Sequence, residues 1–348
     1  MAGTLKVLDG GAATTLQDAG RHGYRSLGVA LSGALDPLWL ACANALVGNP
    51  ADAAALEMRV LGPRLEVAQG SLCLALAGDA DIQLIRSNQN ASALPAWRSI
   101  TLEIGDVLHI GAIRSGVAYL TVAGGIDVPE QLGSRSTYAR ARIGGIDGRA
   151  LRSGDTLPGG DTGNARTVEL AHTHGFAHTT GPLRVLLGPQ DDCFTEEALA
   201  VFFSTAYTVT RDLDRMGIRL SGARLTHHPA KGADIISDGV TPGAIQVPAD
   251  GQPILLLADC QTVGGYPKIA TIISADLPRL AHLLPGMQVN FAAVTREQAH
   301  AALFAQAAAL RTWIAELAPH RPAGWVNQAA LYGDNLISGM VDAGVNET

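Results

Sequence analysis

Apolar runs of four to eight residues, each closed off by glycine, recur along this chain and constrain its fold more than any other feature. RLEVAQGSLCLALAG, ADIQLI, SITLEIGDVLHIG and GVAYLTVAGG consist of such runs between tight-turn signals, so each reads as one or more strands. Forty glycines spread throughout supply the turns. Helical patterns are few. DPLWLACANALVGN begins at Asp36, a good N-cap, has Pro37 at the first helical position and ends before Gly48. TEEALAVFFS begins at Thr195 with acidic residues in its first turn, which suits the helix dipole. REQAHAALFAQAAALRTWIAEL is the longest, and its alanine content and apolar spacing favour a helix. The expected class is mainly β with a few helices.

At 348 residues the chain fits two domains of ordinary size, and 47% hydrophobic residues against 16% charged ones leave ample material for buried cores. A net charge of −7 offers no basic field for phosphodiester backbones, so nucleic acid is a poor partner. The opening MAGTLKVLDGGAATT lacks a basic segment followed by an apolar core, and no run of about twenty apolar residues follows, so neither secretion nor a membrane span is expected. Cys42, Cys73, Cys193 and Cys260 lie far apart without metal spacing; together these features suggest a reducing cytoplasm. Weak echoes between the two halves hint at two related β domains.

Periodicity breaks at residues 158–181, PGGDTGNARTVELAHTHGFAHTTG, which read as a linker or long loop. His172, His174 and His178 there could suggest a metal site, but no acidic or cysteine ligand stands at suitable spacing, so a solvated histidine-rich linker is favoured and no metal is expected.

Three stretches concentrate glycine, charge and amide side chains in apolar surroundings. In TLQDAGRHGYRSLGVALSGALDP, Gln17, Asp18 and Arg21 lie between turn glycines; an Asp–Arg pair bracing a turn and a polar rim facing a ligand are equally open. In GGIDVPEQLGSRSTYARARIGGIDGRALRSGD, Ser134, Arg135, Ser136 and Thr137 could cradle a carboxylate or phosphate, with a glycine-rich hairpin corner slightly ahead as the plainer reading. No G-x-x-x-x-G-K-[ST] loop occurs anywhere, so bound ATP would not rest on the usual phosphate loop. In DRMGIRLSG and GAIQVPADGQPILLLADCQTVGGYPKIATI, a strand ends at Asp259 and is followed by Gln261, Thr262, Tyr266 and Lys268 around a Gly264–Gly265 turn. Lys268 could neutralise developing anionic charge, and Asp259 could orient it or act as a base; a structural ion pair is the alternative. Cys260 has no nearby histidine to activate it.

These stretches, with LGPQDDCFTEEAL and GGIDGRALRSGDTL, resemble the allophanate hydrolase subunit 2 family, whose members are biotin-dependent carboxyltransferase-like proteins. The resemblance runs from about residue 7 to 295 in the family's order. It implies two cyclophilin-like β-barrel domains with a cleft between them: residues 1–165, a linker at 166–181, residues 182–295, and a C-terminal helix and tail at 296–348. Carried over by motif, Lys268, Asp259 and Tyr266 are the catalytic candidates. Gln17, Asp18, Arg21, Tyr24, Ser134, Arg135, Ser136, Gln246 and Gln261 are the substrate-binding ones.

The family's members suggest three functions. The first is the C subunit of an ATP-dependent 5-oxoprolinase, opening 5-oxo-L-proline to L-glutamate beside companion A and B subunits, the B one directly adjacent. ATP would be used by the complex, whether or not this chain holds it, and Arg21, Arg135 and Lys268 could supply cationic charge over phosphoryl oxygens. The second is carboxyl transfer from carboxybiotin to a small amide such as urea; with no biotin attachment segment in the chain, the biotin would arrive on a partner. The third is non-catalytic binding of a histidine-kinase inhibitor.

Overall fold

The computed structural model describes residues 3–160 and 169–320. The expected tail after residue 320 and the middle of the 158–181 stretch lie outside them.

The short apolar runs form strands as their spacing predicts. ADIQLI is the strand Ala80–Ile85, SITL is Ser99–Leu102 and GVAYLTV yields Ala118–Val122. In the first half they build two sheets. A six-stranded one runs in the order Thr156–Pro158, Thr4–Asp9, Arg64–Gln69, Val107–Ile113, Ala80–Ile85, Ala91–Ala93. A five-stranded one runs Thr15–Gln17, Ala55–Met58, Ala118–Val122, Leu72–Ala77, Ser99–Leu102. Alternation along the strands turns Leu5, Val7, Leu65 and Leu108 of one sheet toward Leu56, Leu74 and Leu120 of the other, and these form one buried cluster.

The second half is a single eight-stranded sheet. Its order is Gln288–Val289, Tyr207–Leu213, Gly217–Ser221, Ile254–Leu256, Ala244–Gln246, Lys268–Ile272, Leu183–Leu187, Phe291–Ala293. The outermost strands of that order are separated in sequence by Asn290 alone, so the sheet curls until its edges nearly meet.

Helix α1 (Pro37–Val47) forms as its caps dictate: Asp36 accepts from the amides of Leu38 and Trp39, and Gly48 closes the other end in a left-handed conformation. Helix α2 (Glu196–Ser204) is capped by Thr195. Helix α3 (Arg296–Ala315) starts with a reciprocal Thr295–Gln298 capping box. It returns to the first half, where Trp313 joins Leu38, Cys42 and Leu46 of α1 in a buried cluster.

The 169–181 part of the expected linker is docked, not solvated. Leu170–Ala171 pairs with Ala318–Pro319, Phe176 is buried, and the His172 ring stacks on Trp313 at 4.5 Å. Sequence could not show this because the covering helix lies more than a hundred residues away.

The halves are joined by one large core and one buried ion cluster. Leu35, Leu40, Val117 and Tyr119 of the first half share a continuous core with Val185, Phe202, Ile245 and Ile269 of the second. Across the same boundary, Arg215 contacts Asp259 through Nε at 3.0 Å and Nη2 at 3.1 Å, and reaches Glu57 and the Gly33 carbonyl of the first half. Glu57 also accepts from Tyr119 Oη at 2.7 Å and from the Leu35 amide at 2.8 Å. Burial pulls the Arg215 guanidinium toward a lower pKa, but Glu57 and Asp259 outweigh it and push it above its ordinary value.

Replacing Arg215 by Met would leave Glu57 and Asp259 as uncompensated buried charges, so the Arg215→Met chain should lose about 3–5 kcal/mol of stability in urea unfolding. Adding Glu57→Gln should recover part of that loss; a loss under about 1 kcal/mol would show that water already screens the cluster.

Candidate functional site

The clearest binding feature of the second half lies on the outer face of its curled sheet. Because side chains alternate across a strand, Ile218, Leu220, Ile245 and Leu255 point into the core. Their neighbours Gly217, Arg219, Gln246, Ile254 and Leu256 face outward, and with Arg211, Leu213, Gln261 and Tyr266 they wall a cavity of about 560 Å3. Arg140, from the loop after the Ser134–Thr137 segment, adds a wall from the first half.

The charges of its wall suit this cavity to a polar, anionic ligand. The wall also carries Asp212 and Asp214, the latter accepting the Met216 and Gly217 amides. Arg140, Arg211 and Arg219, however, have no carboxylate within ion-pair distance among the described residues, so three guanidiniums outnumber two carboxylates and none is committed to an ion pair. Gln246, 2% exposed, accepts at Oε1 from Gln261 Nε2 at 3.3 Å while its own Nε2 has no partner among those residues. That nitrogen is packed against the Gly264 backbone and sealed from the cavity, so the side chain's role at the wall is to hold Gln261.

Three of the twelve residues singled out from sequence, Gln246, Gln261 and Tyr266, meet at this cavity. The others go elsewhere. Asp18 forms the centre of an internal knot, accepting from the hydroxyls of Ser134 at 2.7 Å and Ser136 at 2.5 Å and from the amides of Gly20 at 2.8 Å and Arg135 at 2.5 Å. The Ser-Arg-Ser segment thus cradles a carboxylate, but the carboxylate is the protein's own. Gln17 is buried and donates to Thr15 Oγ1 and the Thr137 carbonyl. Arg21 is fully buried and donates to the carbonyls of Gln131 and Ser136. Gly144 must be glycine for this: its φ is +69° and a Cβ would fall 2.0 Å from the Ser136 oxygen and 2.2 Å from the Arg21 guanidinium. Tyr24 is half-buried beside the short 3-10 turn Arg25–Leu27.

The expected gathering of Arg21, Arg135 and Lys268 around one hollow is not what the geometry gives. Arg135 is turned to Glu130 at 2.5 Å and the Val128 carbonyl, and Arg21 is sealed inside the Asp18 knot. Asp259 does not orient Lys268 either, because Arg215 takes both of its oxygens. Lys268, 2% exposed, instead reaches Asp238 Oδ2 at 3.0 Å. Long charged side chains buried this deeply take whichever opposite charge the topology brings closest, and nothing local in the sequence reports that choice. Cys260 is fully buried, and burial pushes its thiol above its ordinary pKa, which fits packing.

Sequence reasoning missed Arg140, Arg211 and Arg219, which look like ordinary surface arginines. Arg219 stood inside the DRMGIRLSG stretch, and the alternation of that strand was the available signal. Arg25 was also missed; it donates to the carbonyls of Val240 and Gln261, tying the first half to the cavity's rim.

A family model for the carboxyltransferase domain, subdomain A and B, matches residues 27–293. The chain belongs to this family. Within it, the chain is 36% identical over 304 residues to the C subunit of 5-oxoprolinase from Escherichia coli, covering 85% of this chain and 93% of that one. It is 33% identical over 297 residues to the Haemophilus influenzae protein of the same description, with the same coverage. The crystal structure of the K. lactis urea amidolyase superposes with a TM-score of 0.79 at 29% identity, covering 89% of this chain but 20% of that much longer one. The mainly β architecture is therefore the family's own.

The Asp18 knot gives a pH signature. Burial pulls the Asp18 carboxyl upward, but the hydroxyls of Ser134 and Ser136 and the Gly20 and Arg135 amides outweigh it and hold it below the usual carboxylate value. A carboxyl depressed in the folded state contributes stability above its unfolded pKa of about 4, and that contribution is lost as pH falls through the folded value. Asp18→Asn should therefore lower the urea midpoint at pH 7, with the gap to the parent narrowing below about pH 4. A gap that stays constant down to pH 2 would assign the loss to packing.

Proposed function

We infer that this chain works as the C subunit of a 5-oxoprolinase, a hydrolase component that acts on 5-oxo-L-proline together with companion A and B subunits. The observation that carries this is the near end-to-end match with the Escherichia coli protein of that description, 93% of whose length is covered. The cavity chemistry agrees with it. 5-Oxoproline carries one carboxylate and one cyclic amide. A guanidinium from Arg140, Arg211 or Arg219 would hold the carboxylate, and a second of them would donate to the lactam oxygen. Tyr266, 42% exposed, stands where it could close the rim.

Opening the lactam needs ATP in this reading, spent by the complex on phosphorylating the amide oxygen. ADP leaves in that step. Water then adds at the activated carbon and the C–N bond breaks, the ring nitrogen taking a proton, to leave an acyl phosphate. A second water hydrolyses this to the carboxylate and free phosphate. The remaining arginine would offset the charge that phosphorylation adds. Lys268 and Asp259 enter as positioning residues, Lys268 through its strand pairing opposite Gln246 and Asp259 through Arg215, whose sequence neighbours Asp214 and Met216 line the cavity.

Carboxyl transfer from carboxybiotin on a partner is a second reading, favoured by the structural likeness to urea amidolyase. The same cavity would then hold a carboxylated intermediate.

Reconstitution with both companions should give glutamate from 5-oxoproline in an ATP-dependent manner. Arg211→Ala and Arg219→Ala should each lower kcat/KM by roughly 10–100-fold, the worth of a hydrogen bond to a charged group, while leaving complex assembly unchanged. An inert complete complex, or co-purification of a biotinylated companion with urea- or amide-dependent carboxybiotin consumption, would replace this reading with carboxyl transfer.

A further inference from the structure

A second cluster of ion-binding atoms lies at the start of α1, apart from the arginine cavity. Asp36 is fully buried. Its Oδ1 is spent on the helix, accepting from the Leu38 amide at 3.0 Å and the Trp39 amide at 3.1 Å. Its Oδ2 faces two imidazoles at once: His178 Nε2 at 2.7 Å and His282 Nε2 at 2.8 Å. The Trp39 ring packs against both, with centroids 5.6 Å from His178 and 4.4 Å from His282.

The second nitrogen of each ring decides what Oδ2 meets. His282 Nδ1 lies 2.5 Å from the Ser115 carbonyl oxygen, which can only accept, so Nδ1 carries the hydrogen. In the neutral ring Nε2 then directs a lone pair at a carboxylate oxygen. Two acceptors cannot face each other at 2.8 Å unless something positive stands between them, either a further proton or a metal ion. An Nδ1–H fixed by a backbone carbonyl with Nε2 turned inward is the arrangement in which proteins hold metal-ligating histidines. His178 Nδ1 has no partner among the described residues, so Oδ2 alone sets this ring's tautomer: Nε2–H donates to it while no ion is bound, and the hydrogen would pass to Nδ1 when an ion takes Nε2.

The two histidines also line a cavity of about 520 Å3 with Thr179, Arg279, Met287 and Asn290, so the cluster has an open side. The cation in that wall, Arg279, is held by Asp276 at 3.1 Å and by the carbonyls of Pro182 and Gly181.

We propose that Asp36 Oδ2, His178 Nε2 and His282 Nε2 form a three-ligand site for a divalent transition ion of the zinc class, with a fourth position open to this cavity. Two imidazoles and one carboxylate form a donor set that zinc accepts when it keeps a position for water or ligand. Ligand atoms around a tetrahedral ion lie roughly 3.3 Å apart, so each ring must draw back by about half an ångström. His178 belongs to a segment without regular structure, and His282 ends the short 3-10 helix Leu277–His282, so neither is held by a long element.

The test uses the untagged full-length chain, stripped with chelator and titrated with Co2+. One equivalent should bind with the intense visible bands of a four-coordinate ion, and Zn2+ should abolish them. His178→Ala and His282→Gln should each remove the bands and weaken Zn2+ binding more than about tenfold. His172→Ala should leave both unchanged; it controls for a surface ion settling on the stacked His172–His174 pair. Weak six-coordinate absorption only, or bands that survive in both cluster variants, overturns the proposal. So does failure of the parent chain to bind stoichiometrically, whatever the variants do.

Discussion

The two halves depend on Arg215. Its guanidinium is shared between Asp259 of its own half and Glu57 of the other, and it spends a further N–H on the Gly33 carbonyl. Breaking such a cluster costs far more than making it gains, so its value lies in specificity: only one docking of the halves satisfies all of its members. Glu57 passes the constraint on. Through Tyr119 Oη, which accepts the Asp36 amide at 2.8 Å, it fixes the start of α1.

This network runs between the two polar sites. At one end, Arg215 sits in the turn whose neighbours Asp214 and Met216 wall the arginine cavity, and Asp214 Oδ1 braces that turn by accepting the Met216 amide at 2.7 Å. At the other end, the Asp36 carboxylate meets the two histidines. One chain of buried hydrogen bonds therefore borders both sites.

Local structure was legible in the sequence to a degree that long-range pairing was not. The caps of α1, Asp36, Pro37 and Gly48, stand where their chemistry demands, and the strand at Ala80–Ile85 coincides with the apolar run that announced it. Gln261 and Tyr266 could be found because polar side chains crowd a strand end there, whereas Gln246 came only from the family resemblance. Arg215 with Glu57, or Asp36 with His178 and His282, could not. These partners are separated by 158, 142 and 246 positions, and no periodicity links residues that only the packing of two sheets brings together. The same limit explains why Ser134, Arg135 and Ser136 looked like an anion cradle: the cradle is real, and Asp18 fills it.

The shared core has a consequence for how such a chain can be reused. Leu35, Leu40 and Tyr119 would face water without the second half, and Phe202 and Ile245 would lose their cover without the first. Helix α3, from the far end of the chain, roofs α1 near the beginning. A gene cut between the halves would yield two sticky fragments instead of two modules. The portable piece in larger multi-domain enzymes is then the joined pair, and 89% of this chain does superpose on 20% of a urea amidolyase.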